Sequence, residues 1–285
     1  MRPPVGWIGG TLAAALLAAG PVAITGATRP EADYQVYAVR YATLPAFPTR
    51  ALVAGADSAR RSEVAMTVWL LKGPERRTVL VDAGFYRDEF IQRWRPAGFR
   101  RPSEVLDSIG VPPESVTDII VTHVHWDHLD GADLFPNARV WIQREEYDYH
   151  VGPGGEALKP VIAPADAAML KRLGDAGRLQ LVDGDDREII PGIRVFTGGR
   201  HTWASQYAAV RTRSGTVVIA SDNVYLYENI DRHVPIAATL DSAANLAAQD
   251  RMLRMVSRKD LLIPGHDPAV FQRFPTEGRD VARID

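Results

Sequence analysis

The run VTHVHWDHLDG, residues 121–131, constrains this chain more than any other stretch. Four potential metal ligands, His123, His125, Asp127 and His128, fall within six positions, in a chain that has seven histidines among 285 residues. Just upstream, DIIV at 118–121 is an apolar run of the kind that makes a buried strand. Side chains of an extended segment alternate, so His123 and His125 share a face. A turn after them swings Asp127 and His128 toward the same point. The plain alternative is a polar loop that happens to be rich in histidine. Imidazole and carboxylate at this density suit zinc and neighbouring divalent metals, and the run is read as a metal site.

Composition narrows how such a metal is held. There is no cysteine, which removes thiolate zinc sites, disulfides and cysteine nucleophiles together. Any metal must sit on histidine and carboxylate. A chain of 285 residues, 46% of them hydrophobic, has material for one large domain with a substantial core. A formal charge of -2 leaves no basic footprint for nucleic acid or an anionic membrane.

In chain order, Arg2 is followed by a stretch without charge from Pro3 to Thr28, rich in Ala and Leu and ending on small residues. This pattern matches a secretory signal peptide over residues 1–27, cleaved near Ala27. An uncleaved anchor is the competing reading, but Gly20 and Pro21 interrupt the run. The mature domain, 28–285, opens with a strand at YQVYAVRYA from Tyr34, followed by a Pro- and Ala-rich loop over 43–61. Buried strands at 66–73 and 78–85 form a hairpin, and Asp82 at the end of the second needs a partner. Residues 103–111 make a short helix capped by Ser103. A strand at 138–143 leads into a helix starting at REEYDYH, and 164–177 has helical spacing. Strand-like runs follow at 179–182, 189–197, 207–212 and 216–220. The clearest amphipathic helix is 239–258, and the last strand runs into PGHDP. Strands in both halves, each half closing with helix, argue for packed sheets covered by helices.

Three further candidates lie at ends of predicted strands: His201 in GGRHTWASQ, Asp222 in SDN and His266 in PGHDP. Alone, each reads as readily as a loop residue or a cap. Together with VDAG at Asp82 and HVHWDH they carry the motif spacing of one family, and from about Tyr34 the chain resembles the metallo-β-lactamase superfamily. The resemblance implies a four-layer αββα sandwich with two metals at one edge between the sheets. One metal takes His123, His125 and His201, and the other Asp127, His128 and His266. Asp222 bridges them, and Asp82 orients a ligand histidine from behind. His150 and His233 match no motif and are expected at the surface. Two divalent ions, zinc by donor type, hold a hydroxide at neutral pH that attacks a polarised carbonyl, and Asp127 returns the proton to the leaving group.

Within the superfamily the chain is similar to the N-acyl homoserine lactonases, which open the lactone ring of bacterial quorum-sensing signals. The opening YQVYAVRYAT, the stretch IQREEYDY and Tyr225, three residues after Asp222, carry this likeness. On spacing alone Tyr225 is an ordinary packed aromatic; in the combination it is a hydrogen-bond donor to the lactone. The segment from His201 to Gln206 departs from the family, lacking its Pro-Gly turn and second histidine, which puts substrate preference in question. Phe47, Phe85, Trp126 and Trp203 are candidates for an apolar groove and, equally, for the core. An aryl esterase, thioesterase, phosphotriesterase or β-lactamase on the same scaffold is the alternative activity. Flavin-coupled di-iron enzymes need a domain for which no room remains, and a dead metal-binding site is at odds with a full ligand set. The expected partner is a small lactone or ester, with no nucleic acid, no stable membrane association after cleavage, and a monomeric or homodimeric state. Export gives the first test. Mass analysis of protein recovered from its native cell envelope is expected to show a start near Thr28, and intact Met1 on soluble cytosolic protein would refute the leader.

Overall fold

In the computed structural model, which describes residues 1–4, 6 and 33–285, the layers follow from alternation along two long strands. The chain divides into two units, Met1–Glu31 and Ala32–Asp285, and every strand and helix described lies in the second. The expected signal peptide lies, apart from residues 1–4 and 6, outside the described residues. None of the described helices is long and apolar enough to cross a membrane.

The strands are β1 (Gln35–Pro48), β2 (Arg61–Lys72), β3 (Thr78–Val81), β4 (Asp118–Ile120), β5 (Arg139–Gln143), β6 (Leu179–Val182), β7 (Arg187–Ile190), β8 (Ile193–Thr197), β9 (Gln206–Thr212), β10 (Gly215–Ser221), β11 (Leu262–Pro264) and β12 (Val281–Arg283). The helices are α1 (Asp88–Trp94), α2 (Pro102–Ser108), α3 (Trp126–Leu129), α4 (Arg144–His150), α5 (Pro164–Asp175), α6 (Tyr227–Asp231), α7 (Ser242–Met255) and α8 (Val270–Arg273). One sheet has the order β12-β1-β2-β3-β4-β5-β6, the other β11-β10-β9-β8-β7.

In β2, Val64, Met66, Val68 and Leu70 point to one side, and Trp69 and Leu71 to the other. The period of two thus supplies two cores from one strand. The first side is covered by Phe90 of α1, Val105 and Leu106 of α2, and Met169, Leu170 and Leu173 of α5. The second side meets Ile193, Val195, Val210, Val217, Ile219 and Ile263 of the other sheet. The far face of that sheet, with Phe196, Tyr207, Val218 and Leu262, is covered by Ile230 of α6 and Ala248 and Met252 of α7. Three stacked cores separate four layers, the expected αββα sandwich.

Three local expectations need correction. β1 does not end near residue 42 but runs to Pro48, pairing Phe47 with Ser62 and Pro48 with Arg61. Its ladder slips between Arg40 and Ala42 and again between Leu44 and Phe47, so Pro45 sits in an irregular stretch where no ladder donor is demanded of it. The first slip also puts Tyr41 and Ala42 into the same core, although they are neighbours in sequence. The 189–197 run is two strands: Pro191 and Gly192, the latter at φ 84, turn the chain so that Ile190 pairs with Ile193. The helix expected from a Ser103 cap starts at Pro102, whose fixed φ suits the first helical position, and Arg101 makes no side-chain cap.

Parallel pairing of β3, β4 and β5 carries their C-terminal ends to one edge, and the parallel pair β10 and β11 does the same in the second sheet. Loops after β3, β4, β8, β10 and β11 therefore meet between the sheets. Leu71, fully buried between the sheets, tests this interface. Leu71→Ala is expected to cost about 2–5 kcal/mol in chemical unfolding, against about 0.5 kcal/mol or less for Leu158→Ala at the surface.

Candidate metal centre

Each ligand-bearing loop follows the end of a strand. Beyond β4 the chain bends through His123 and His125 and enters α3, which carries Asp127 and His128 on its first turn. His201 follows β8, Asp222 follows β10, and His266 follows β11. The seven fall into two groups: His123, His125, His201 and Asp222, and Asp127, His128 and His266. Asp222 Oδ2 faces the first group, 3.2 Å from His201 Nε2 and 3.6 Å from His123 Nε2. Its Oδ1 faces the second, 2.9 Å from His266 Nε2 and 3.2 Å from His128 Nε2. One carboxylate thus divides its oxygens between the two groups.

The ring orientations are set from outside. His201 Nδ1 donates to Ala238 O at 2.6 Å and His266 Nδ1 to Ala65 O at 3.0 Å. His128 Nδ1 donates to Asp82 Oδ2 at 2.7 Å. With Nδ1 of each ring donating outward, Nε2 is the atom that faces inward. His123 Nδ1 lies 3.0 Å from Thr122 Oγ1, which in turn donates to Asp82. His123 Nε2 and His201 Nε2 each lie 2.9 Å from His125 Nδ1. A proton on His125 Nδ1 can serve only one of these two contacts, whereas a cation among the three nitrogens serves all of them. His128 Nε2 and Asp222 Oδ1 are buried and lack a hydrogen-bond partner, a costly state that a metal ion would relieve. The donor set and its unmet atoms fit two divalent ions.

The electrostatics agree. Burial, with the rings of His128 and His201 close by, pushes His123 and His125 well below the usual imidazole range, leaving them neutral donors. Burial would raise the Asp222 carboxyl, but His128 and His266 beside it hold it well below its ordinary value. Burial would lower His128, yet Asp222, Asp127 and Asp82 outweigh it and push that ring up, and Asp222 does the same for His266. The carboxylates thus favour positive charge near those nitrogens, which a metal ion supplies.

Asp82 stands behind His128, on the side away from the other ligands. Its carboxylate also accepts from Thr122 N at 2.8 Å and from Ser221 Oγ at 3.0 Å. Gly265 is required by closeness: a Cβ there would stand 2.8 Å from the Ser221 backbone and 3.1 Å from Asp222 Oδ1. Ser221, Thr122 and Gln143 were not anticipated. Gln143 Nε2 donates to Gln206 Oε1 at 3.0 Å, and Gln206 Nε2 to Val121 O at 2.8 Å, which ties β5 and β9 to the end of β4. A polar residue closing an apolar strand run is their shared sequence signal.

A pocket of about 220 Å³ opens on His125, Asp127, Asp222, Tyr225 and His266 and is walled by Leu44, Phe47, Leu52, Met66, Trp94 and Trp126. Trp94 and Trp126 stack with ring centroids 5.3 Å apart. Of the four candidate aromatics, Phe47 and Trp126 line this pocket, while Phe85 is fully buried behind Trp126. Trp203 is 39% exposed and stacks on Tyr149 at 4.2 Å, with Arg200 over its ring and Lys159 over that of Tyr149. The departing loop after His201 is held by this stack. Tyr225 is in the pocket wall with its hydroxyl 3.5 Å from His201 Nδ1. Burial, then Asp222 and Asp127, push it well above the ordinary tyrosine range, so the hydroxyl keeps its proton. His233 is exposed as expected, but His150 is buried, its Nδ1 donating to Glu146 O at 2.8 Å one turn back. α4 turns Glu146 and His150 inward while Arg144, Glu145 and Asp148 face solvent, an inner face that its acidic sequence concealed.

A family model described as the metallo-beta-lactamase superfamily matches residues 63–266. An N-acyl homoserine lactonase of a Bacillus species is 30% identical over 165 residues, 57% of this chain and 60% of that protein. The chain therefore spans about three fifths of that relative's length. Metallo-beta-lactamase domain-containing protein 1 of Xenopus laevis is 26% identical over 217 residues, 71% of this chain and 70% of its own. A solved quorum-quenching N-acyl homoserine lactone lactonase superposes with a TM-score of 0.68 at 23% identity, covering 85% of this chain and 96% of that one, a likeness of fold. For the centre itself, Asp82→Asn is expected to lower stability and to weaken metal retention of the folded protein about 10–100-fold in chelator competition, since an amide cannot accept from all four donors. Unchanged retention would remove Asp82 from this role.

Proposed function

This chain belongs to the metallo-β-lactamase superfamily and has N-acyl homoserine lactonases among its relatives, and from that premise we propose that it is a hydrolase that opens the lactone ring of N-acyl homoserine lactones. One arrangement supports the finer reading above all. The shared carboxylate, Asp222, and the protonated Tyr225 hydroxyl stand at the polar end of a pocket whose other walls are apolar and aromatic. A small polar ring carrying an acyl tail matches both ends.

We assign His123, His125 and His201 to one ion and Asp127, His128 and His266 to the other, with Asp222 shared. Imidazole and carboxylate donors favour zinc. When bound, two such ions lower the pKa of water toward about 7 and polarise a carbonyl oxygen. The side chains do the rest. Tyr225 donates a hydrogen bond to the substrate oxygen on which negative charge develops. Asp127, on the first turn of α3 and in the pocket wall, is placed to hand a proton to the leaving oxygen. Phe47, Trp94 and Trp126 receive the acyl chain and keep water from it. This scheme calls on no serine or cysteine nucleophile. We further propose that the protein is exported, periplasmic or secreted, after cleavage near Ala27.

Tyr225→Phe keeps the ring and removes only the donor. It is expected to hold two metals, fold normally and lose about tenfold to a hundredfold in kcat on N-acyl homoserine lactones. Kinetics equal to the parent would make Tyr225 a packing residue. The same assay run with an aryl ester, a thioester, a phosphotriester and a β-lactam separates the alternatives. Cleavage of one of these with inert lactones would leave the superfamily standing and end the lactonase reading.

A further inference from the structure

We infer that Glu146 is a positioning residue for the three-histidine half of the centre, bracing the loop that carries His123 and His125 against the loop that carries His201. Its side chain is fully buried in the first turn of α4. Oε1 accepts from Val124 N at 3.2 Å, the amide between the two histidines. Oε2 accepts from Ala204 N at 2.7 Å, three residues beyond His201. One carboxylate thus spans two loops that come from different sheets. His150 secures the brace from below, donating to Glu146 O and standing 3.8 Å from Oε1.

The second half is anchored elsewhere. His128 leans on Asp82 and His266 on Ala65 O, and Glu146 makes no hydrogen bond to either. Losing the brace therefore acts on one ion and spares the other. Charge type matters as well as position. A carboxylate offers each loop amide its own acceptor, whereas the amide of glutamine has one oxygen and turns an N–H toward the other loop's N–H. A buried donor without an acceptor moves its loop. Aspartate, one methylene shorter, can serve either loop but not both.

The inference rests on the dinuclear reading of the site and not on the lactone. Purified full-length protein, stripped and reloaded with zinc, is titrated with a chromophoric chelator, and the cobalt-loaded form gives a visible spectrum. The parent is expected to release two ions. E146Q is expected to bind one of them at least about tenfold more weakly and the other as before. The cobalt spectrum that remains should match that of His201→Ala and not that of His266→Ala. Asp166→Asn, a buried carboxylate change paired with Arg87 and with no hydrogen bond to either loop, is expected to keep both affinities. Should E146Q fail to fold, Glu146→Asp decides, with the same selective loss at smaller size. Both ions held as in the parent, or both weakened equally, overturns the inference while leaving the metal assignment intact. A parent that binds fewer than two ions overturns the assignment and the inference together.

Discussion

A single buried carboxylate, Asp82, is the interaction on which the site depends. Its backbone sits at φ 61, an uncommon conformation for a residue other than glycine, which turns the chain at the end of β3. A charge buried there is tolerable only when its oxygens are filled. Thr122 supplies an amide and a hydroxyl, Ser221 a hydroxyl, and His128 a ring N–H. These donors come from the loop after β4, from β10 and from α3, so the same bonds that satisfy the charge fix a ligand ring and join the two sheets. Stability and chemistry are not separate layers here.

How much of this was legible in the sequence follows from the range of the forces involved. The H-x-H-x-D-H run was readable because its ligands are local, and a bend and one helical turn suffice to converge them. His201, Asp222 and His266 were legible less directly: each is one polar residue after a strand, and only the family spacing joined them. Packed sheets under helices were readable from strands in both halves, each half closing with helix, and the four-layer order came from the family spacing. By contrast, the extension of β1 depends on slips in pairing that no local pattern encodes. Burial of His150 and Glu146 depends on where α4 docks, and two acidic residues at a helix start look like a solvated end.

The pocket shows a division of labour along its length. One end is crowded with groups whose charge states are set by one another, while the rest of its wall is built from aliphatic and aromatic side chains that offer shape and little else. The loop after His201 shows the same logic. Without a Pro-Gly turn to stiffen it, it is held by the Lys159–Tyr149–Trp203–Arg200 stack on its outer side. Different local chemistry can hold a ligand in place when the demand is only that the loop not move.

The two sheets contribute unequally but jointly to the metal groups: His123, His125, Asp127 and His128 hang from the seven-stranded sheet, His201, Asp222 and His266 from the five-stranded one. Any cation gathered there is gathered only while the sheets are stacked. Its binding free energy therefore adds to that of the apolar interface by mass action, growing as the logarithm of free ion over the dissociation constant. At about a hundredfold excess over that constant, each ion adds about 2.7 kcal/mol to the cohesion of the sandwich. The centre is thus also a clasp whose strength the surroundings set through the supply of metal.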